Sequence, residues 1–427
     1  MKKVKILLLM LVICLTFSGC SSFRISSIDD LISPVSPSGD NAGILAAVNE
    51  YSKGGYSIKI PSSGKYTTSF ILHDLNGDGN NEAIAFFEQN DNLGKVDMAV
   101  LSKADNSWRV IDNITGEGVD VNCVDFSDLN NDGTEEIIVC WGIISKSTTS
   151  NLCVYSTDES LKLNLVTDSI TAGEFISVDI NSDGSNELLV FNFGSYSESP
   201  EAELYSLSSG DKRLIGETKL DSSIISFSKI TCGKTDEGMS VFADAIRANG
   251  ASMVTELLCW SDYYDSIISP FYSYSTGRTT ETSRDNLITS RDINGDGEIE
   301  IPVDKSVSGL PDGVTAQSWV GYESTVLKHR IYSYAVKSDG YLLVLDDEIF
   351  AKAYVKYDSS KRQLDITDGK DKAFSIITVM RTEYNSNNFS DYTEICSDSG
   401  LVYLCSVSNN SKINVTVDDV KNIFRAY

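Results

Sequence analysis

The sequence predicts a mainly β fold made of a repeated unit, and two observations carry this prediction. A nine-residue motif, D-x-N-x-D-G-x-x-E, occurs four times, starting at residues 74, 128, 179 and 292. The intervals hold short runs of Val, Ile, Tyr and Phe separated by turn residues, which is the pattern of β-strands. The first interval contains four predicted strands: Phe70–Leu72, Ala83–Phe87, Val96–Ser102 and Trp108–Ile111. A unit of about 50 residues with four strands is typical of a β-propeller blade.

The motif spacing predicts one further unit that lacks the motif. Successive motifs start 54, 51 and 113 residues apart, so the last interval is about twice the others. Near residue 229 the apolar flanks persist, but Lys229, Thr231 and Gly233 stand at the first three polar positions of the motif. We therefore predict about five blades, with the segment Tyr56–Ile60 completing the last blade from the N-terminal side.

The chain divides into four predicted parts, three of which lie outside the repeats. Residues 1–20 form a signal peptide, residues 21–39 a flexible tether, and residues 40–310 the propeller. The propeller region opens with a short helix that Asp40 or Asn41 can cap. Residues 311–427 predict a small α+β domain, in which five β runs precede a helix over Val417–Ala426 capped by Thr416.

The first twenty residues predict export and lipid attachment. Three lysines precede the apolar run 6–17, which is too short to span a bilayer, and Ser18-Gly19-Cys20 follows. Small residues before a cysteine resemble the lipobox of bacterial lipoproteins, so Cys20 is the expected acylation site, with palmitate among its acyl groups. The alternative is a plain secretory signal. Both place the protein outside the cytoplasm, and the first anchors it to the cell membrane through lipid alone.

The charge excludes nucleic acid as a partner. The formal net charge is −26, and phosphate binding requires patches of Lys and Arg. The carboxylates of the four motifs contribute part of this negative charge, and bound cations would offset that part.

The motif chemistry points to calcium. Oxygen-bearing side chains at alternate positions of a tight loop can converge on one hard cation, and Gly at position 6 permits the turn. The alternative is a metal-free Asx/Gly turn, which leaves the carboxylates to repel one another. An EF-hand would need Glu at position 12, where Ala85, Val139, Val190 and Val303 stand.

Segments such as FILHDLNGDGNNEAIAFF and VDFSDLNNDGTEEIIVCW resemble the FG-GAP/VCBS repeats of integrin-α-like β-propellers. With the lipobox and tether, the chain is similar to a set of surface lipoproteins of Gram-positive bacteria. The resemblance implies up to four Ca²⁺ ions, each in a hairpin loop between the first two strands of a blade. Two departures are Glu at position 9, where Asp is commoner, and a single Phe-Gly pair, Phe193-Gly194.

The resemblance implies ligands at positions 1, 3, 5, 7 and 9 of each loop, with position 7 contributing its backbone carbonyl. These residues are Asp74, Asn76, Asp78, Asn80 and Glu82; Asp128, Asn130, Asp132, Thr134 and Glu136; Asp179, Asn181, Asp183, Ser185 and Glu187; and Asp292, Asn294, Asp296, Glu298 and Glu300.

Several other side chains invite a functional reading but favour a structural one. The apolar residues at position 2, Leu75, Leu129, Ile180 and Ile293, are expected to fill the core beneath each loop. His73, beside the first motif, is expected to pack or lie on the surface. The tyrosine-rich stretch 261–274 is expected to fill space between blades. Seven cysteines follow Cys20 in no C-x-x-C spacing, which argues against a disulfide framework, although a Cys396–Cys405 bridge is conceivable.

Three function classes follow. The favoured one is a noncatalytic binding or scaffold module, whose partner is an unknown protein or glycan. The second is an extracellular polysaccharide-active hydrolase or lyase with structural calcium, for which the sequence offers no catalytic constellation. The third, a solute-binding lipoprotein, would need alternating strand–helix units that are absent here. The sequence leaves the oligomeric state open.

Overall fold

The structure is a computed structural model that describes residues 39–53, 55–144, 149–193, 199–208, 210–398 and 400–427. The predicted signal peptide, Cys20 and the predicted tether up to residue 38 lie outside the described residues. The described chain is mainly β, as predicted, and its strands form antiparallel sheets. None of the helices found in these residues is both long and apolar enough to cross a membrane.

Helix α1, Asp40–Tyr51, precedes the first sheet and packs on it. Its buried residues Ile44 and Val48 contact Phe87 and neighbouring side chains of the sheet. The helix begins after Gly39, so the prediction that Asp40 or Asn41 caps it is wrong. The Asp40 carboxylate instead accepts hydrogen bonds from Lys103 Nζ at 2.7 Å and Trp108 Nε1 at 3.2 Å, which draws it away from the helix start.

The first sheet confirms the four predicted strands and corrects the prediction for a fifth. Its strands are β1 Tyr56–Lys59, β2 Phe70–His73, β3 Glu82–Gln89, β4 Asp97–Ala104 and β5 Ser107–Thr115. Strand β2 pairs with the first half of β3, and β1 pairs with its second half. The prediction that Tyr56–Ile60 completes the last blade is therefore wrong, because this strand uses its hydrogen bonds in the first sheet.

The second and third sheets repeat the same antiparallel order. The second contains β6 Asp120–Ser127, β7 Glu136–Gly142, β8 Ser150–Thr157, β9 Leu163–Leu165 and β10 Ile170–Ala172. Here β9 and β10 both pair with β8, so the fourth strand is divided in two. The third contains β11 Glu174–Val178, β12 Glu187–Asn192, β13 Glu201–Ser206 and β14 Arg213–Lys219.

The fourth sheet confirms the predicted unit without the motif. It contains β15 Ile224–Thr235, β16 Gly238–Arg247, β17 Met253–Ser261 and β18 Ser266–Ile268. Residues 229 to 233 lie inside β15, and β15 pairs with β16 as far as Thr235 and Gly238. Asp236 and Glu237 therefore form a tight turn where the other units have a motif loop. The predicted alignment of Lys229, Thr231 and Gly233 with the motif positions is therefore wrong, because these residues lie within the strand and not in the turn. Lys229 donates to the backbone oxygen of Ser290 at 3.0 Å.

The remaining strands form a short hairpin and two five-stranded sheets. The hairpin is β19 Tyr272–Ser273 with β20 Arg278–Thr279. The fifth sheet contains β21 Ile301–Asp304, β22 Val314–Glu323, β23 Val326–Val336, β24 Tyr341–Leu345 and β30 Phe424–Ala426. The sixth contains β25 Tyr354–Asp358, β26 Gln363–Thr367, β27 Lys372–Met380, β28 Thr393–Ser397 and β29 Leu401–Val407. Strands β21 and β22 pair, so residue 310 lies in the connection between two strands of one sheet.

Two short helices accompany these last sheets, α2 Asp347–Lys352 and α3 Val417–Ile423, with 3-10 turns at Lys337–Asp339 and Ser386–Phe389. Thr416 caps α3 through a reciprocal bond with Asp419, as the sequence predicts for this residue. The prediction of a helix to Ala426 is wrong at its end. From Phe424 the chain becomes β30, because its backbone pairs with β24.

The hydrophobic cores lie between consecutive sheets. Strand β7 is buried on both faces, so alternate side chains enter different cores. Trp141 meets Phe86 of the first sheet at 5.7 Å between ring centroids, whereas Ile138 packs with residues of the third sheet. Similar mixed clusters join the third sheet to the fourth and the fourth to the fifth. Each sheet from the first to the fifth therefore packs face to face on the next one in the chain.

Candidate metal-binding loops

The first three motif loops each connect the ends of two antiparallel strands, and the fourth is closed by a single antiparallel bridge before β21. The residue before the motif is paired with its ninth residue in all four loops: His73 with Glu82, Ser127 with Glu136, Val178 with Glu187, and Arg291 with Glu300. The flanking β structure confirms the prediction that these loops are hairpin connections and not the helix-flanked loops of an EF-hand.

Two backbone positions in each loop adopt positive φ. At position 6 the glycines have φ of 86° to 92°, as the turn requires: Gly79, Gly133, Gly184 and Gly297. Position 4 also has positive φ, which the motif does not reveal because its residue type varies: Gly77, Asn131, Ser182 and Gly295. Asn is one of the few other residues that tolerate this conformation well. The two left-handed residues turn the chain twice within nine residues.

The polar side chains at positions 1, 3 and 5 are directed toward the loop backbone. In the second loop, Asp128 accepts hydrogen bonds from the N–H groups of Asp132 at 3.2 Å and Gly133 at 3.0 Å. Asn130 Oδ1 accepts from Asp132 N–H at 2.8 Å, and Asp132 Oδ1 accepts from Thr134 N–H at 2.9 Å. The first and third loops repeat these bonds, and the fourth differs only in that Asp292 accepts from Gly295 and Gly297. The bonds at Thr134 lower the pKa of Asp132, so this carboxylate stays charged.

The glutamates at position 9 are buried, which the sequence analysis did not predict. One oxygen of each accepts the N–H of the position-2 residue, at 2.8 to 3.2 Å, in the pairs Glu82–Leu75, Glu136–Leu129, Glu187–Ile180 and Glu300–Ile293. Burial raises the pKa of Glu136, Glu187 and Glu300 to about 7, and the charges of nearby loop aspartates add to the rise, which the bond from the position-2 N–H opposes. The sequence contained one signal of this burial, because each of these glutamates is followed directly by apolar residues of a strand.

The third loop contains a buried oxygen without a hydrogen-bond partner. Glu187 is fully buried, and its Oε1 has no donor among the described residues. In the second and fourth loops the corresponding oxygen accepts from the amide of Asn130 at 2.7 Å or Asn294 at 3.2 Å. The third-loop amide, Asn181, donates to Asp183 instead. A buried carboxylate oxygen of this kind is costly unless something positive or a donor meets it.

The donor set of the loops matches the oxygen chemistry of calcium, although it is not drawn tightly together. No three His, Cys, Asp or Glu side chains gather into a metal-holding cluster anywhere in the described ranges. Calcium also takes amide and backbone carbonyl oxygens, which positions 3 and 7 supply. An ionised carboxylate has about four lone-pair sites, so the N–H bonds described above leave room for a cation. The residue types present are therefore ones that would hold a calcium ion.

The position-2 residues confirm their predicted role. Leu75, Leu129, Ile180 and Ile293 are each at most 2% exposed and lie in four different hydrophobic clusters. The first three anchor their loops to cores between two sheets, and Ile293 anchors the fourth loop to the fifth sheet.

Neighbouring units contact one another beside the loops. His73 Nε2 lies 2.7 Å from Glu135 Oε2 of the second loop, and the His73 ring stacks on Phe126 at 3.8 Å. Asn186, at position 8 of the third loop, donates to Ser127 Oγ at 3.2 Å. These contacts place the first three loops on neighbouring sheets at the same end of the strands. His73 is in a packing contact, as expected from the sequence.

The tyrosine-rich stretch is more exposed than predicted. Tyr263 is 88% exposed, Tyr264 66% and Tyr274 79%, so the prediction that these rings fill space between blades is wrong for them. They lie in or beside turns, where no neighbouring sheet covers them. Phe271, by contrast, packs against the cluster between the fourth and fifth sheets.

Comparisons with known proteins give little further information. No protein-family model matches the chain, and no curated protein matches it. Among solved structures, the chain is similar to the Dos1 propeller, with 10% identity and a TM-score of 0.31 over 79% of this chain and 83% of that chain. At this TM-score the similarity says nothing about ligand, activity or site.

Proposed function

We propose that this chain is a lipid-anchored, extracytoplasmic β-propeller stabilised by calcium, which acts as a noncatalytic binding or scaffold module for a protein or glycan. The propeller part is supported by consecutive antiparallel sheets that pack face to face in chain order. The lipid anchor rests on the sequence Ser18-Gly19-Cys20 after the apolar run.

The observation that carries the calcium proposal is the fully buried, unpartnered Oε1 of Glu187 beside two loop aspartates. Three like charges in one loop raise each other's energy, and burial of Glu187 adds to that cost. A Ca²⁺ ion would remove both penalties, because it attracts the loop carboxylates and supplies the missing partner of Oε1. The same residue types at the same loop positions extend the proposal to all four loops.

Calcium binding is tested by calorimetric titration of metal-stripped protein with CaCl₂. We expect uptake of up to four ions and a melting temperature that rises with calcium. An ion at 100 times its Kd stabilises the folded state by about 2.7 kcal/mol per site. Absence of both uptake and thermal shift would refute the proposal.

Glu187→Gln sharpens this test, because it keeps the shape and one carbonyl acceptor for Ile180 N–H but removes the charge. In metal-free buffer the variant should be as stable as the parent or more stable, because a buried anion is gone. In calcium it should bind one ion fewer and gain less stability. Asp236→Ala, in the tight turn of the unit without the motif, is the matched control and should leave calcium uptake unchanged.

The binding role is tested at the exposed aromatic turn of the fourth sheet. Tyr263 and Tyr264 meet edge to face, 4.9 Å between ring centroids, and offer large contact area to a sugar or protein. We expect a glycan array or a set of cell-envelope proteins to show binding that Tyr263→Ala with Tyr264→Ala weakens at least tenfold. Binding that is unchanged in the double variant would move the partner site elsewhere.

A further inference from the structure

The second sheet brings two cysteines into direct opposition. Cys123 on β6 and Cys140 on β7 are cross-strand partners, so their side chains project from the same face. Both border the cluster that joins the second and third sheets. Directly opposed residues of antiparallel strands have Cα atoms about 4.5 to 5.5 Å apart, which lies within the range of disulfides.

We propose that Cys123 and Cys140 are a covalent modification site, at which the two thiols form a reversible disulfide with each other. In the structure both are thiols. Contact with the Cys123 thiol, together with burial, raises the pKa of Cys140 well above its usual range, which agrees with two sulfurs in close contact.

The register disfavours the nearest other pairings in the described chain. Cys153 on β8 lies opposite Val139, so it faces the core between the first and second sheets, away from Cys140. Cys405 lies opposite Thr393, whereas Cys396 lies opposite Tyr403. That pair is diagonal, with a typical Cα separation of about 7 to 8 Å, which exceeds disulfide geometry.

The site is open to a small reagent on one side. Cys123 and Cys140 line a cleft of 350 Å³ that also includes Ser62, from the connection between β1 and β2, Phe175 of the third sheet and Phe227 of the fourth. Cys123 is half-buried and Cys140 is 4% exposed. An incoming reagent therefore meets Cys123 first.

The co-reactant is a low-molecular-weight disulfide, RSSR. Cys123 loses its proton to solvent, and its thiolate attacks one sulfur of RSSR, which releases RS⁻ and leaves a mixed disulfide. Cys140 then loses its proton and attacks Sγ of Cys123, which releases the second RS⁻. Both RS⁻ ions take up a proton, so two protein thiols are oxidised and one RSSR is reduced to two RSH.

The test is incubation of the full protein with oxidised glutathione, followed by alkylation under denaturing conditions and peptide mapping. We expect loss of the alkylatable thiols of Cys123 and Cys140, a crosslink between the peptides that contain them, and reversal by dithiothreitol. A crosslink to another cysteine, glutathione retained on Cys123 in the parent protein, or no loss of thiols would overturn the proposal.

Two single variants separate the steps. In Cys140→Ser the resolving thiol is missing, so Cys123 should retain glutathione. Cys396→Ser is the matched control on another sheet and should leave the crosslink unchanged. If Cys140→Ser does not fold, the peptide map of the parent protein still decides the matter. The result does not depend on calcium, so it can fail or succeed independently of the proposed function.

Discussion

Replacement of Arg284 by Met tests a buried ion pair that supports the unit without a motif loop. Arg284 Nη2 lies 2.7 Å from Asp244 Oδ1, and both side chains are fully buried. Asp244 belongs to strand β16, whereas Arg284 lies in the segment that leads to the fourth loop. The pair therefore ties the fourth sheet to the chain that follows it.

The expected cost follows from the partners that each group has. Arg284 also donates to the backbone oxygens of Ile288 at 3.0 Å and Thr282 at 3.0 Å, and all of these bonds are lost in the variant. Asp244 keeps three donors from Thr255 and Ser290, so part of its charge remains compensated. Removal of one partner from a buried ion pair costs about 3 to 5 kcal/mol of unfolding free energy. Because Asp244 keeps these donors, we expect a loss near the lower end, about 3 kcal/mol.

The assay is urea unfolding, followed by circular dichroism, at a fixed calcium concentration. Arg213→Met is the matched control, because Arg213 is exposed on β14, and it should change the free energy of unfolding by less than about 0.5 kcal/mol. Combining Arg284→Met with Asp244→Asn should cost less than the sum of the single changes, because no buried charge is then left alone. A loss below about 1 kcal/mol for Arg284→Met would refute the reasoning.

Two other predictions concern buried groups outside the loops. Burial raises the pKa of the fully buried Glu256 to about 7, so the folded state binds its proton more tightly than the unfolded state. This contribution to stability is complete below about pH 4.5 and is lost as pH rises through 7, and the loss amounts to roughly 3 kcal/mol at most. We expect Glu256→Gln to remove this loss, so that the free energy of unfolding in urea falls less between pH 5 and pH 8 than it does in the parent protein. A Cβ at Gly116 would lie 2.4 Å from the buried Trp141 ring, so Gly116→Ala should cost about 1 to 3 kcal/mol in urea unfolding. Gly55→Ala, whose Cβ meets nothing closer than 3.7 Å, should be nearly neutral, and equal costs for the two would contradict the packing argument.

The strands around each motif could be predicted because their signals are local. The strands Phe70–Leu72 and Ala83–Phe87 were predicted from their own apolar residues, and both are confirmed within β2 and β3. The period also predicted a sheet near residue 229 with no motif, because strands depend on the flanking apolar residues and not on the loop.

The errors involve partners that are distant in the chain. The strand β1 was predicted correctly, but its partner was not. The partner of β1 depends on which sheet has unpaired N–H and C=O groups close to it. The exposure of Tyr263 depends on whether another sheet covers its turn. Likewise the helix after Thr416 ends early because β24 offers a pairing edge to Phe424.

By itself, the sequence determined the β character, the repeated unit, the glycine turn at position 6 of each loop and the apolar anchor beneath each loop, because strand pattern and turn chemistry act within about ten residues. Only the tertiary structure decided that the position-9 glutamates are buried, that Cys123 opposes Cys140, and that Arg284 contacts Asp244 directly. These features arise where sheets and strands far apart in the chain come together, and a side chain's burial and partners are set by that contact.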